Sequence, residues 1–222
     1  MREVVAAVLA MLVALPATAA QSEKVDAAVV FLVDASGSMS AAEMAMARES
    51  HASALTSSEV LSAIAGGEHG RIAISYVEFA DRPQTRIGWT VIDGVASASA
   101  FAEAVAQGEA PVPGSMTGLG AALAAADALF DALPYGTSRL VVDIVGDGRN
   151  NLAPHTIAGR RPLLARGAVI NALPLMLSPD DDRIDVYFAG EVAGGPGHFI
   201  MPIAAIDAMP TVLRSKIVLE LY

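Results

Sequence analysis

The residues with the clearest capacity for chemistry lie in the loop Asp34-Ala35-Ser36-Gly37-Ser38, directly after a run of apolar residues. The Asp34 carboxylate and the two serine hydroxyls are hard oxygen donors, of which a cation such as Mg²⁺ takes about six. Hydroxyls at alternate positions can turn toward one point in a tight loop, and Gly37 permits that turn. The loop therefore predicts most of a divalent-metal site.

Two further loops offer donors of the same kind. Gly114-Ser115-Met116-Thr117-Gly118 opens a helical segment and offers a third hydroxyl, and Gly146-Asp147-Gly148 follows an apolar segment and offers a second carboxylate. Ligands of open α/β sheets bind beyond the carboxyl ends of the strands, where the strand order reverses. We therefore expect five side chains to meet at one edge of a parallel sheet: Asp34, Ser36, Ser38, Thr117 and Asp147.

These loops must be held by the segments between them, which alternate between strand and helix patterns. Apolar runs and residues of high β propensity predict strands over 27–33, 71–79, 86–92, 140–145, 169–175 and 199–203. Capping boxes and helical spacing predict helices after Ser40-Ala41-Ala42-Glu43, after Thr56-Ser57-Ser58-Glu59, and over 97–107, 119–133, 156–166 and 211–221. This alternation implies an α/β fold: a doubly wound, mainly parallel, Rossmann-like sheet with one antiparallel edge strand (86–92) and helices on both faces.

The first twenty residues predict an export signal. Arg2 precedes an apolar run over 4–15, and small residues follow it as far as Ala20. A positive start, a short apolar stretch and small residues at a cleavage site are the parts of a secretory signal. We predict cleavage after Ala19 or Ala20, so that 1–20 is a signal peptide and 21–222 is one domain, periplasmic or secreted. An uncleaved anchor is the alternative, because Glu3 is unusual in such a signal.

Composition excludes several functions. The chain has no cysteine, which excludes thiolate metal sites and suits an oxidising compartment. It has 14 Lys and Arg residues against 24 Asp and Glu residues, giving a net charge of −10. Binding to nucleic-acid phosphates needs clustered basic residues, so nucleic acid is excluded as a partner. No stretch after the signal is long and apolar enough to predict a membrane span.

The pattern of the five donor residues resembles the motif of a known family. Asp34-x-Ser36-x-Ser38, Thr117 and Asp147 match the five positions of the metal-ion-dependent adhesion site of von Willebrand factor A domains. The order of the predicted elements is similar over the whole chain after the signal. More narrowly, the chain looks like an uncharacterised bacterial family of short exported A-like proteins. That closer likeness lies in three stretches: His69 to Ala73, Gly146 to Asn151 and Gly194 to Phe199.

The resemblance implies a binding function and not an enzyme. It implies Mg²⁺ or Mn²⁺ held directly by the Ser36, Ser38 and Thr117 hydroxyls, with Asp34 and Asp147 acting largely through water. Neutral direct ligands leave the ion electrophilic, so that its open position can accept a carboxylate from a protein partner. The bulky Met116, beside Thr117, is the one residue that departs from the small residues usual there.

Two alternatives remain open at this point. Haloacid-dehalogenase-like phosphatases place a nucleophilic Asp where Asp34 stands, and their later Gly-Asp-Gly-x-Asn-Asp motif resembles residues 146–151 except at its last position. However, Ser36 occupies the position of their acid/base Asp, and only Arg160 or Arg161 could take the role of the phosphate-binding cation. The other alternative is a structural domain whose metal only stabilises the loops. A serine hydrolase is excluded because the chain has no Gly-x-Ser-x-Gly motif.

The remaining polar residues have local interpretations. Four histidines lack the spacing of a zinc site and are interpreted as surface or locally hydrogen-bonded residues: His51, His69, His155 and His198. Asp143, inside an apolar strand, either supports the site from behind or is a structural carboxylate. The acidic run 180–182 is interpreted as a solvated loop, with calcium binding as its alternative. The glycine-rich segment 194–197 is interpreted as a turn, with a place at the ligand rim as its alternative.

Overall fold

The computed structural model of the protein describes residues 23–108, 114–177 and 183–222. The predicted signal peptide (1–20) and the acidic run 180–182 lie outside these described residues. The described strands are Ala28–Asp34 (β1), Ile72–Phe79 (β2), Pro83–Ile92 (β3), Leu140–Gly146 (β4) and Val169–Pro174 (β5). The described α-helices are Ala41–Leu55 (α1), Ser58–Ala65 (α2), Val95–Ala106 (α3), Leu119–Asp131 (α4), Thr156–Ala165 (α5), Ile184–Tyr187 (α6) and Met209–Leu221 (α7).

The strands form one five-stranded sheet in the order β3-β2-β1-β4-β5. β1 is central and pairs in parallel with β2 and β4, and β4 pairs in parallel with β5. β3 pairs antiparallel with β2 at one edge. A chain that builds from a central strand first to one side and then to the other is doubly wound. The predicted fold class, including its antiparallel edge strand, is confirmed.

Helices cover both faces of the sheet, and this explains the apolar sequence of β1. Val29 and Phe31 pack in a cluster with residues of α1, α2, α3 and α7, whereas Val30 and Leu32 pack in a cluster with residues of α4, α5 and α6. A parallel strand covered on both faces needs a continuous apolar run and not an alternating one. The polar loop after β1 therefore starts from a fully packed strand.

The first predicted capping box is confirmed, and the second is wrong by one residue. The Ser40 hydroxyl and the Glu43 carboxylate cap α1 reciprocally, as predicted. Helix α2 is capped by Ser57, whose Oγ accepts a backbone N–H of the first turn at 3.3 Å. Thr56 instead ends α1 and donates its hydroxyl to the Ala52 carbonyl at 3.0 Å. Threonine can make that bond because the carbonyl four residues earlier is within its reach.

The predicted last strand, 199–203, is not a regular strand. Its backbone pairs as isolated parallel bridges, of Ile200 with Ala172 in β5 and of Ile203 with Leu175 just after β5, and not as a regular ladder. Between these bridges the ladder would need a backbone N–H from position 174 of β5, and Pro174 has none to donate, so a continuous ladder cannot form there. The segment therefore lies along β5 as an irregular chain.

The glycine-rich turn 194–197 does bring this segment back onto β5. Gly194 and Ile170 exchange backbone hydrogen bonds of 2.7 and 3.0 Å. Ile170 lies near the amino end of β5, whereas the three donor loops follow the carboxyl ends of the parallel strands. The turn therefore lies near the amino-terminal ends of the parallel strands, whereas the predicted site lies at their carboxyl-terminal ends.

The lengths of the described helices can be compared with the length that a membrane-spanning helix needs. The longest described helix, α1, has 15 residues, whereas spanning a bilayer takes about 20. Within the described ranges no helix combines the length and the apolar character that a membrane span requires.

Candidate metal centre

Two neighbouring strands deliver the two carboxylates of the candidate site. β1 ends at Asp34, and β4 ends at Gly146, directly before Asp147. The strands lie side by side in parallel, with Val33 opposite Val145. β2 and β3 follow on one side of this pair and β5 on the other, so the strand order reverses here. This is the position at which open α/β sheets bind their ligands.

The five predicted residues are linked by hydrogen bonds of 2.7–3.2 Å. Thr117 Oγ1 donates to Ser36 Oγ at 3.2 Å, and Ser36 Oγ lies 3.1 Å from Ser38 Oγ. Ser38 Oγ in turn donates to Asp147 Oδ1 at 2.7 Å. The backbone N–H of Ser36 donates to Asp34 Oδ1 at 2.8 Å, which joins the fifth residue. The structure therefore brings all five residues together, and their binding of a metal stays a prediction.

Exposure to solvent changes across the site. Asp34, Ser36 and Thr117 are 1%, 2% and 4% exposed, respectively. Ser38 is exposed and Asp147 is half-buried. The site therefore has a closed floor at Asp34 and an open side at Ser38, where a second molecule can approach.

Asp34 is a buried carboxylate with no positively charged partner among the described residues. Its Oδ2 has no hydrogen-bond partner there either. Burial, helped by the charge of Asp147 and opposed by the hydrogen bonds from Ser36, raises the pKa of Asp34 to about 7. A buried charge is costly unless it is paired or coordinates a metal. The donor set fits a divalent cation, because it combines three neutral hydroxyls with two carboxylates that carry negative charge.

The loop that carries Thr117 is held to the end of β2 by Asp81. Asp81 Oδ1 accepts the backbone N–H groups of Ser115 at 2.9 Å and Met116 at 2.8 Å. The side chain of Met116 is half-buried. Sequence reasoning missed Asp81, although its position just after β2 matches the rule that identified Asp34. The same rule, applied to every strand, would have found it.

Asn151 holds the same loop from the other side. Its Oδ1 accepts the Thr117 N–H at 2.8 Å, and its own N–H donates to the Thr117 carbonyl at 3.1 Å. Asn151 belongs to the stretch Gly146 to Asn151, which carries the closer family likeness, but no spacing rule assigns it a role. Sequence reasoning therefore quoted the residue without recognising what it does.

Glycines let the loops approach one another closely. A Cβ atom at Gly148 would lie 2.9 Å from Thr117 Oγ1, and one at Gly118 would lie 2.6 Å from the Ala80 carbonyl oxygen. Gly37 was expected to permit a tight turn, but it does not have a positive φ. Its N–H donates to the Ser115 carbonyl at 3.2 Å, and a Cβ there would lie 3.1 Å from that oxygen. The reason for glycine at position 37 is therefore close packing of two loops.

Asp143 belongs to a separate buried cluster and does not support the candidate site. Its Oδ1 lies 2.5 Å from Lys216 Nζ of α7, and the same nitrogen lies 2.5 Å from Glu220 Oε1. Asn171 of β5 donates to Glu220 Oε1 at 2.9 Å and accepts the Phe199 N–H at 3.0 Å. We call these four side chains, of Asp143, Asn171, Lys216 and Glu220, the lysine cluster. The structural interpretation of Asp143 is thus the correct one.

Two of the histidines have local hydrogen-bond partners. His51 is fully buried and its Nδ1 lies 2.7 Å from the Ala47 carbonyl, while His198 Nδ1 lies 2.8 Å from the Gly195 carbonyl. Both therefore have the local hydrogen bonds that were expected of them. In the described part of the chain, no three His, Cys, Asp or Glu residues are clustered so as to hold a metal ion. The hydroxyl-rich candidate site is of another kind.

The sheet order, with polar loops at the ends of β1 and β4, defines a von Willebrand factor A-type α/β fold. The chain is similar to the von Willebrand factor type A structure from Catenulispora acidiphila, with 17% identity over 89% of this chain and 43% of that chain and a TM-score of 0.64. It is also similar to proximal thread matrix protein 1 from the mussel byssus with a zinc-occupied metal-ion-dependent adhesion site, with 18% identity, coverage of 89% and 48%, and a TM-score of 0.66. The chain spans less than half the length of either structure.

A third similar structure has nearly the same length as this fold. It is an aerotolerance-related membrane protein from Bacteroides fragilis, with 20% identity over 86% of this chain and 98% of that chain and a TM-score of 0.58. The chain itself belongs to the family described as protein of unknown function (DUF1194), whose profile matches residues 24–222. Comparison with curated protein sequences finds no match. The resemblance to A-type domains, and more narrowly to an uncharacterised family, is confirmed.

Proposed function

We propose that this chain is an exported binding module that holds Mg²⁺ or Mn²⁺ at Asp34, Ser36, Ser38, Thr117 and Asp147, and that binds an acidic group of a protein partner there. The A-type fold supports an adhesion-type function, and a similar structure, the mussel byssus protein, has a zinc-occupied site of this kind. The observation that carries the proposal is that Asp34, unlike the other buried acidic side chains of the described chain, has no positively charged partner.

Four acidic side chains are buried in the described part of the chain: Asp34, Glu78, Asp143 and Glu220. Glu78 is paired with Arg48 at 2.6 Å and with Arg86 at 2.9 Å. Asp143 and Glu220 are both paired with Lys216. Asp34 alone among the four has no Lys, Arg or His partner in the described ranges, and its Oδ2 has no hydrogen bond. A cation from solution is the missing partner that this arrangement fits.

The side chains of the site have different roles in binding the ion and the partner. The buried hydroxyls of Ser36 and Thr117 and the exposed hydroxyl of Ser38 are neutral donors, so they hold a cation without cancelling its charge. When bound, the divalent ion supplies positive charge and an open coordination position for a carboxylate. The exposed side at Ser38 gives a partner access to that position, and the closed floor at Asp34 does not. Binding is therefore expected from one direction only.

A phosphatase using Asp34 is disfavoured by the same geometry. A nucleophilic carboxylate has to reach its substrate, whereas Asp34 is 1% exposed and its Oδ1 accepts the Ser36 N–H. Lys216, one of the chain's two lysines, is committed to the lysine cluster on another part of β4. We infer that the chain is not an enzyme of this class.

Calorimetric titration with MgCl₂ and MnCl₂ tests the metal site. We expect binding by the wild type and at least about a tenfold weaker affinity in the double variant Ser36→Ala with Thr117→Ala, because two direct donors are lost. Unchanged affinity in the double variant would contradict the site. Thermal unfolding of the apo forms serves as the control for folding.

Two further measurements separate the proposal from its rivals. Capture of partner proteins on immobilised wild type, with and without chelator, is expected to retain a set of acidic proteins only when metal is present. Retention that ignores the chelator would favour a metal that only stabilises the loops. Hydrolysis of a generic phosphate ester that disappears in Asp34→Asn would favour the phosphatase.

A further inference from the structure

Thr117 is the member of the candidate site whose position depends most on other residues. Asp34, Ser36 and Ser38 share one short loop after β1, and Asp147 directly follows β4. Thr117 comes instead from the loop before α4, where the preceding element in the described chain is the helix α3 and not a strand. Its hydroxyl can reach Ser36 Oγ at 3.2 Å only if this loop is held in place by contacts with its neighbours.

Asn151 provides a two-sided contact with Thr117. The side-chain Oδ1 accepts the Thr117 N–H at 2.8 Å, and the backbone N–H donates to the Thr117 carbonyl at 3.1 Å. The two bonds fix the peptide groups on both sides of the Thr117 Cα atom, from which the hydroxyl projects. Asp81, by contrast, binds only the preceding amides of Ser115 and Met116.

Asn151 also links two parts of the site. It lies in the same loop as Asp147, so its bonds tie the loop that carries one carboxylate to the loop that carries the third hydroxyl. Gly148, in the same loop, leaves the space that this contact needs, because a Cβ there would lie 2.9 Å from Thr117 Oγ1. The stretch Gly146 to Asn151 therefore acts as one unit, with a ligand at one end and a positioning contact at the other.

We infer that Asn151 is a positioning residue of the metal site: by holding Thr117 in register with Asp147, it sets the affinity for the divalent ion. The inference rests on the proposed function, because it assigns Asn151 to the same metal site. Asn151 touches no metal itself and acts through the Thr117 backbone. Groups that orient metal ligands change metal affinity by about 10–100-fold when they are removed. Asn151 is exposed, so water competes for its bonds and the lower end of that range applies.

Asn150 provides a matched control next to it in the chain. Its Oδ1 accepts the Gly120 N–H at 2.9 Å, and its Nδ2 donates to the carbonyls of Leu152 at 2.6 Å and Pro154 at 3.3 Å. These bonds hold α4 against the loop before α5 and do not involve Thr117. Loss of Asn150 should therefore weaken the fold without moving the Thr117 hydroxyl.

The test is calorimetric titration of MnCl₂ into the full chain and its variants, with urea unfolding of each apo form. Asn151→Ala is expected to weaken Mn²⁺ binding by about tenfold. Asn151→Asp keeps an acceptor for the Thr117 N–H and is expected to bind Mn²⁺ at least as well as the wild type. Asn150→Ala is expected to lower the stability at least as much as Asn151→Ala, and to change the Mn²⁺ affinity by less than about threefold.

Three results would overturn the inference while leaving the proposed function intact. These are Mn²⁺ affinity of Asn151→Ala within about twofold of the wild type, an equal loss in Asn151→Asp, and an equal loss in Asn150→Ala. The last result would show a general loosening of the loops. Absence of Mn²⁺ binding by the wild type would overturn both the proposed function and the inference.

Discussion

Strand β4 contributes to two groups of acidic residues, through Asp143 within the strand and Asp147 directly after it. The two groups differ in how the negative charge of their buried carboxylates is balanced. In the lysine cluster, Asp143 and Glu220 are fully buried, and the chain supplies its own cation, Lys216, which is also buried. At the candidate metal centre, Asp34 is equally buried and the described chain supplies hydroxyls but no cation. The contrast indicates a structural role where the charge is balanced internally and a binding role where it is not.

The largest effect is expected when the internal cation is removed. Lys216→Met leaves Asp143 and Glu220 buried without a positive partner, and removing one partner of a buried pair costs about 3–5 kcal/mol. Urea unfolding at pH 7 measures this loss. The matched control is Lys24→Met, because Lys24 is exposed and such surface changes stay within about 0.5 kcal/mol. A loss below about 1 kcal/mol in Lys216→Met would remove the proposed contrast between the clusters.

At the metal centre, removing a charge is expected to raise the free energy of unfolding and not to lower it. Asp34→Asn removes a buried charge that lacks a positive partner, so in chelator at pH 8 we expect the free energy of unfolding to rise by about 1–2 kcal/mol. The pH is chosen because the pKa of Asp34 is raised to about 7, so that the carboxyl is ionised at pH 8. With Mg²⁺ present the same variant should lose the stabilisation that the wild type gains. Asp147→Asn, at a half-buried position, is the control and should change stability less; a destabilised Asp34→Asn in chelator would reverse the argument.

A third expected effect is a change in the pH dependence of stability. Burial and the charge of Asp143, opposed by Lys216, raise the pKa of Glu220 from its ordinary value of 4.5 to about 8 in the folded protein. The folded state therefore holds the proton more tightly, and the free energy of unfolding falls as the pH rises from about 4.5 to about 8, by at most about 1.4 kcal/mol per pH unit. Glu220→Gln should flatten this fall. Unfolding in chelator at several pH values checks it, and an unchanged slope in the variant would contradict the assignment.

The sequence predicted those features that depend on local pattern. The apolar run of β1, the Ser40 box and the placement of donors at strand ends are each visible within a few residues, and the structure has them. Thr56 and Ser57 show the limit of such patterns, because adjacent hydroxyl residues both fit a cap and only the end of α1 decides between them.

What the sequence did not predict depends on contacts between distant segments. Lys216 and Asp143 lie on α7 and β4, and nothing in their neighbourhoods in the chain indicates that they pair. Asn151 and Asp81 bind backbone N–H groups, which every residue except proline has, so their partners leave no mark in the sequence. Five oxygen donors could be recognised by type, whereas the residues that orient them could be found only in three dimensions.

The irregular segment along β5 has a consequence for how the protein behaves in a crowded compartment. A strand at the edge of a sheet presents unpaired backbone groups that invite pairing with another molecule. Residues 199–203 occupy part of that edge through the bridges at Ile200 and Ile203, and Pro202 offers no N–H for a further strand. The segment therefore hinders other molecules from pairing with the edge of β5 and aggregating there, even though the segment is not itself a strand.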